Sequence, residues 1–297
     1  MMDLRARLRE GEVLCGDGAW GTMLMARGLG PGESPETMNL SHPEVLAEIA
    51  QRYIAAGAQL VTTNTFGGSP LKLASSGLEG RTEEVNAAAV AAIRPVADER
   101  AYVSASVGPT GALLAPYGET APEEVRAAFE RQIRALVGAG ADVICIETMI
   151  DLAEARLAIE AARSASADIP IIATMTFERI PRGFFTIMGV SVAEACAGLE
   201  EAGADVVGSN CGNGTDAMVE VAAELVAHTS LPVIIQPNAG LPEIREGEVV
   251  YPETPAFMAQ RVGRLLDLGV GIIGGCCGTG PEHVRTMRAA IDDYRGS

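Results

Sequence analysis

The sequence predicts a single-domain α/β chain, a (β/α)8 TIM barrel occupying residues 1–297. Three observations predict it. An apolar, β-branched run, a loop that opens on small or polar residues, and an Ala/Glu/Arg-rich helical stretch recur together as one unit. The unit occurs eight times in strict alternation, which demands parallel strands with right-handed crossovers and is the number that closes a barrel. No linker or break in composition divides the chain, whose 297 residues lie within the range of one such barrel.

The first strand is expected over 13–16, followed by Asp17-Gly18-Ala19-Trp20-Gly21-Thr22 and a long loop over 24–40. A helix over 41–56 follows, with Ser41 and Glu44 spaced as a capping box. The second strand, 59–63, ends in Asn64-Thr65-Phe66-Gly67-Gly68, and its helix over 83–99 contains Pro95 as a kink. The third, 102–106, ends at Gly108-Pro109-Thr110-Gly111, with Thr120 and Glu123 boxing a helix that reaches Val137. The fourth, 142–146, ends at Glu147-Thr148, and Asp151 with Glu154 opens the next helix. The fifth, 171–176, leads through Pro181-Arg182-Gly183 to a helix boxed by Ser191 and Glu194. The sixth, 205–209, ends at Asn210-Cys211-Gly212-Asn213-Gly214. The seventh, 233–236, ends at Pro237-Asn238-Ala239-Gly240; a loop over 241–250 precedes a helix with Thr254 as cap and Pro255 at its first position. The eighth starts at Gly271 and runs into Gly274-Gly275-Cys276-Cys277-Gly278-Thr279, with Thr279 and Glu282 again spaced as a capping box. Residues 16–21 also fit Gly-x-Gly-x-x-Gly, the fingerprint of a doubly wound sheet, but an irregular loop is expected where that motif's helix should begin.

A formal net charge of -17 opposes non-specific binding to nucleic acid or anionic lipid, both of which need clustered Lys and Arg. No apolar run reaches the length of a membrane span, and the polar start Met1-Met2-Asp3-Leu4-Arg5 lacks the apolar core of a signal peptide, so a cytoplasmic protein is expected. Six cysteines in such a chain point to reduced thiols and metal, not to a disulfide framework.

Residues at the C-terminal ends of barrel strands share one rim, where active sites form. The polar residues placed there are Asp17, Asn64, Ser106, Glu147, Asn210, Cys211, Asn238, Cys276 and Cys277. Adjacent cysteines alone are compatible with a vicinal disulfide or two buried small residues, and Cys211 alone with an inert turn. Only strand seven separates Cys211 from the pair around the mouth, so three thiols can converge. Three protein ligands are the count for a catalytic zinc, and thiolate softness favours zinc over magnesium or calcium. Such a centre suits activation of a substrate thiol, whose free pKa lies near ~8.5. Cys15, Cys145 and Cys196 fall within strand or helix stretches and are assigned to the core; His42, His228 and His283 lie away from strand ends and are not expected as ligands. A rim carboxylate such as Glu147 needs a cation, either an amino-acid ammonium group or an internal Arg. Backbone N–H groups of the turn 18–22 are placed to hold a substrate carboxylate.

Asp17-Gly18-Ala19-x-Gly21-Thr22, Asn64-Thr65-Phe66, Glu147-Thr148, Asn210-Cys211 and Gly274-Gly275-Cys276-Cys277-Gly278-Thr279 together resemble the homocysteine S-methyltransferase family, in order and over nearly the whole chain. The resemblance implies a zinc-dependent methyltransferase making methionine from homocysteine, with Cys211, Cys276 and Cys277 as zinc ligands. It also implies Glu147 at the homocysteine amino group and Asp17, Gly18 and Ala19 along its amino-acid end. Pro237-Asn238-Ala239-Gly240-Leu241-Pro242 resembles the cobalamin-dependent methionine synthase branch, which implies a methylcobalamin donor and Asn238 as a fourth zinc ligand until homocysteine displaces it. Trp20 departs from the small or Met-like residue expected there. The corrinoid-binding signature Asp-x-His-x-x-Gly fits none of the three histidines, so a corrinoid-carrying partner protein or domain is expected. The alternatives are another donor such as S-methylmethionine, a different thiol acceptor, or a thiol protein that buffers metal or senses redox state without catalysis.

Overall fold

The computed structural model describes residues 2–30, 32–245 and 248–295. Single positions of the expected loops 24–40 and 241–250 (Pro31; Glu246 and Gly247) and both ends of the expected unit 1–297 lie outside the described residues.

Eight parallel strands form one sheet: β1 (Leu14–Cys15), β2 (Leu60–Thr62), β3 (Tyr102–Val107), β4 (Val143–Met149), β5 (Ile171–Met175), β6 (Val206–Asn210), β7 (Val233–Gln236) and β8 (Ile272–Ile273). Each pairs with its successor from β2 to β8, and β8 pairs with β1. A parallel bridge from Gly16 to Leu60, with Gln59 N donating to Cys15 O at 2.7 Å, joins β1 to β2 and closes the barrel. The predicted fold is therefore the observed one.

The strands read as continuous apolar runs because both faces are covered. Alternate residues Leu14, Leu60, Tyr102, Val143, Ile172, Val206, Ile234 and Ile272 fill the barrel interior. Their neighbours, such as Val61, Val103, Ile144 and Val207, pack outward in the larger cluster with the helices. The interior cluster also takes in Leu4 and Leu8 from a helix, Leu4–Arg9, that was not expected from the polar start of the chain. Asp3 caps it by accepting from Arg5 N and Ala6 N, and its two leucines stop the N-terminal end of the barrel.

Of the capping boxes, Ser191 with Glu194 forms, and Thr254 caps its helix ahead of Pro255 as expected. Asp151 caps Leu152–Ala165 through Ala153 N, but Glu154 turns inward to accept from Thr110 N and Oγ1 instead of closing a box. The boxes at Ser41, Thr120 and Thr279 do not form. Pro43, Pro122 and Pro281 take the first helical position in each case, so the helices begin later than expected. Ser41 Oγ donates to Thr37 O at 3.1 Å, and Thr279 Oγ1 to Cys276 O at 2.6 Å. The helix expected to end at 99 runs Thr82–Ala97, with Pro95 in its last turn, and stops where Asp98 takes φ 47°.

The loops are more ordered than expected. The stretch 24–40 holds the end of helix Trp20–Met25, the turn Pro35–Thr37 and most of helix Met38–Ser41. Two hairpins, Glu178–Ile180 with Gly183–Phe185 and Glu243–Arg245 with Glu248–Val250, rise after β5 and β7. Among the described residues no helix is long and apolar enough to cross a membrane.

Candidate metal centre and cavity

Cys211 follows β6 directly and takes a left-handed φ of 61°, with Gly212 at 71°. That reversal is uncommon for a residue with a side chain, and it turns the thiol in toward the axis. From the other side, Gly275 N donates to Asp17 O (2.8 Å), Cys276 N to Pro237 O (2.8 Å) and Cys277 N to Asn238 Oδ1 (3.0 Å), which stitches the end of β8 to β1 and β7. The three sulfurs lie within 4.8 Å of one another, with Cys211 and Cys277 3.9 Å apart.

The Cys276 and Cys277 thiols point at the Cys211 sulfur and hold its pKa far below the ordinary thiol range, helped by Asn238. The same contacts push Cys276 and Cys277 upward, because the negative charge sits beside them. Three sulfurs sharing protons over so short a span form a donor set that a soft dication fits by replacing those protons. Asn238 stands beside them with its oxygen accepting from Cys277 N, which leaves that oxygen a second lone pair.

Gly275 leaves no room for a side chain: a Cβ on it would fall 2.3 Å from Thr279 Oγ1. Thr279 in turn holds Cys276 O. Gly275→Ala is expected to displace Thr279 and weaken metal affinity by roughly tenfold to a hundredfold, the usual effect of disturbing a ligand's support; competition against a chromogenic chelator measures it.

Four carboxylates line the same cavity: Glu33 and Glu36 from the loop after β1, and Asp17 and Glu147 at strand ends near the thiols. Asp17 accepts from Thr62 N (2.7 Å), Thr62 Oγ1 (2.9 Å) and Trp20 Nε1 (2.8 Å). Burial still raises it to about 6. The unexpected Trp20 is thus a clamp on Asp17. Glu147 accepts from Ser106 Oγ and, at 3.3 Å, from Asn210 Nδ2. Burial raises it to about 7, with the charges of Asp17 and Cys211 adding to the shift. No Arg or Lys among the described residues pairs with either one, so the internal ion pair is not what holds Glu147.

Asn210 ties the two halves together. Its Nδ2 reaches Thr148 Oγ1 (2.7 Å), Glu147 and the Cys276 sulfur (3.8 Å), while Oδ1 accepts from Thr148 N and Thr174 Oγ1. It stands behind the wall of the cavity. Asn64 reaches the cavity, but its Nδ2 is engaged by Pro35 O and Asn39 Oδ1. Ala19 N is already donated to Thr279 O, which removes one donor from the expected carboxylate turn.

The cavity, about 600 Å³, is lined by Asp17, Gly18, Ala19, Glu147 and all three cysteines. Sequence reading missed Tyr251, one residue past the loop 241–250: its phenol stands beside the Cys277 thiol, and burial with the charge of that thiol pushes it to about 12. Its ring packs on Gly278, where a Cβ would fall 2.2 Å away. The remaining thiols are core as expected. Burial raises Cys15 to about 12, Cys196 to about 11 and Cys145 well above the usual range. None of the histidines approaches the sulfurs; His283 is held by Gly280 N and Glu253 O.

Residues 14–291 match the family described as homocysteine S-methyltransferase. The chain is 33% identical to a methionine synthase of Mycobacterium leprae (strain TN) over 94% of its own length and 24% of that protein. It is 34% identical to a methionine synthase of Mycobacterium tuberculosis over 96% of its length and 25% of that protein, so it spans about a quarter of these relatives. The homocysteine methyltransferase MmuM from Escherichia coli, in its metallated form, superposes with a TM-score of 0.80 at 25% identity, covering 96% of this chain and 99% of that one.

Proposed function

Because the chain belongs to the homocysteine S-methyltransferase family, we propose that it transfers a methyl group from a protein-bound methylcorrinoid to the thiol of homocysteine, giving methionine. One observation carries this reading: the cavity holds three converging thiols and, in the same space, the carboxylates of Asp17 and Glu147, which pair with no Arg or Lys among the described residues. A thiol and an ammonium group are the two functional ends of homocysteine that such a cavity complements. Cys211, Cys276 and Cys277 would hold Zn2+, with Asn238 beside the fourth position. Bound there, the metal supplies the charge that lets a substrate thiol lose its proton near neutral pH while remaining nucleophilic.

The chain's own residues do the rest. Glu147 and Asp17 take the substrate ammonium, and Ser106, Thr62 and Trp20 fix the two carboxylates so that the amino acid is oriented before reaction. Asn210 couples Glu147 to the Cys276 sulfur and so sets the spacing between the ends of the substrate. The sulfur lone pair forms the new C–S bond as the methyl group leaves its donor in line, and the leaving donor keeps the electron pair of the broken bond.

The methionine synthase relatives support methionine as the product, and the likeness of residues 237–242 to the cobalamin-dependent branch supports a corrinoid donor, carried on a partner protein or another domain. We place the protein in the cytoplasm, where free thiols persist. A second reading keeps the site and takes a free donor such as S-methylmethionine; the match over 99% of a homocysteine methyltransferase chain, which leaves no length there for a corrinoid domain, favours it. Zinc-loaded protein with homocysteine is expected to form methionine from methylcobalamin and not from S-methylmethionine, measured by mass spectrometry. The reverse outcome assigns the second reading, and zinc binding without saturable homocysteine affinity leaves only metal buffering.

A further inference from the structure

We infer that Gln236 is a third acceptor for the substrate ammonium group, a positioning residue acting with Asp17 and Glu147; this rests on homocysteine being the substrate. Gln236 is the last residue of β7 and pairs in register with Asn210 on β6, so both side chains point into the mouth of the barrel. It is 9% exposed and lines the cavity with Asp17, Glu147 and Cys276.

Its backbone carbonyl is satisfied by Cys211 N at 3.2 Å, but its side-chain Oε1 is buried and finds no donor. Buried polar atoms are nearly always partnered, and one that is not calls for a physical reason. Three other buried side-chain atoms share this condition, on Asn86, Arg94 and Gln132, and none of those residues lines the cavity. Gln236 does: its Oε1 is sealed off as placed, and a half-turn of the amide carries that oxygen to the unsealed side, where a donor entering the cavity can meet it.

The neighbouring backbone is cut back to make room. A Cβ on Gly274 would sit 3.3 Å from Gln236 Cγ and 3.1 Å from Gly16 Cα, and one on Gly16 would sit 3.3 Å from Gly274 Cα. Two facing glycines, one just past β1 and one just past β8, therefore leave space for a long polar side chain. The oxygen and nitrogen of its terminal amide exchange places by a half-turn, so either end can be offered to the cavity.

An ammonium group has three N–H donors, and an ionised carboxylate offers about four acceptor sites. Three of those on Asp17 and two on Glu147 are already taken by the protein. Each carboxylate keeps room for a substrate N–H, and the third N–H falls to Gln236. A neutral acceptor suits this place, because a third carboxylate would add repulsion where two acids are already crowded.

The test compares zinc-loaded wild type, Gln236→Met and Gln236→Glu by titration calorimetry with homocysteine and with 4-mercaptobutyrate, which has the same thiol and carboxylate but no amino group. Gln236→Met is expected to bind homocysteine roughly tenfold to a hundredfold more weakly, the effect of one hydrogen bond to a charged group, and 4-mercaptobutyrate as wild type does. Gln236→Glu, which keeps the acceptor, is expected to retain homocysteine at pH 8.5. Zinc content and melting temperature establish that each variant is folded. Unchanged homocysteine binding by Gln236→Met, an equal loss for both thiols, or a Glu variant as weak as Met overturns the assignment. Wild type that binds neither thiol overturns the homocysteine reading itself.

Discussion

Cys276→Ser is expected to reduce bound zinc from one per chain to less than about a tenth, and methionine formation by at least about a thousandfold. Disturbing a residue that merely supports a ligand costs roughly tenfold to a hundredfold in metal affinity, and removing one of three ligands must exceed that. The effect falls on the whole group, because the sulfurs lie within 4.8 Å of one another and their protonation is shared. Cys211→Ser and Cys277→Ser are expected to behave alike. Cys145→Ser supplies the contrast: its thiol lies in the apolar barrel interior, so the change should cost stability while zinc remains at one per chain. Elemental analysis of dialysed protein, read beside melting temperature, separates the two classes. A Cys276→Ser protein that keeps its zinc would sink the metal assignment.

Glu147→Gln is expected to weaken homocysteine binding by roughly tenfold to a hundredfold while making the protein more stable above neutral pH. Both effects come from one carboxyl group whose pKa burial lifts to about 7 from an ordinary 4.5. The folded chain holds that proton more tightly than the unfolded chain does. The group's stabilising contribution is therefore complete below about 4.5 and is lost as pH rises toward 7, a swing of about 3 kcal/mol at most. Gln cannot ionise, so the variant keeps what the wild type loses; urea midpoints at pH 5 and pH 8 compare them. Binding has the opposite sign. The ammonium group needs ionised carboxylates, so wild-type affinity should fall as pH is lowered through about 7 and again through about 6, where Asp17 follows. Calorimetric titration across that range checks it, and a flat profile would refute the ammonium contact.

Most of the barrel and of the three-cysteine cluster is legible in the sequence because both are written at strand ends. A run such as 142–146 followed by Glu147 places its last side chain on the rim whatever the helices do. Helix starts were less legible: Ser41, Thr120 and Thr279 have the right spacing for capping boxes, but the prolines at 43, 122 and 281 override it. The helix Leu4–Arg9 escaped because six residues with two apolar positions carry almost no periodicity; only the open end of a barrel gives Leu4 and Leu8 a place to go. Trp20 looked like a departure from pattern and proves to hold Asp17 through its indole N–H. Tyr251 and Gln236 owe their roles to side-chain reach across the mouth, which no spacing along the chain encodes.

The leucine stopper at the N-terminal end of the barrel bears on kinetics. With Leu4 and Leu8 packed among the interior residues, traffic to the site passes through the loop face. In the reaction proposed above, homocysteine has its sulfur at the cysteines and its amino group at Glu147, and so lies beneath whatever brings the methyl group. The acceptor must then load before the donor docks, and methionine must wait for the spent donor to depart. In that reaction, turnover is a queue at a single door, through which acceptor, donor and product must pass in order.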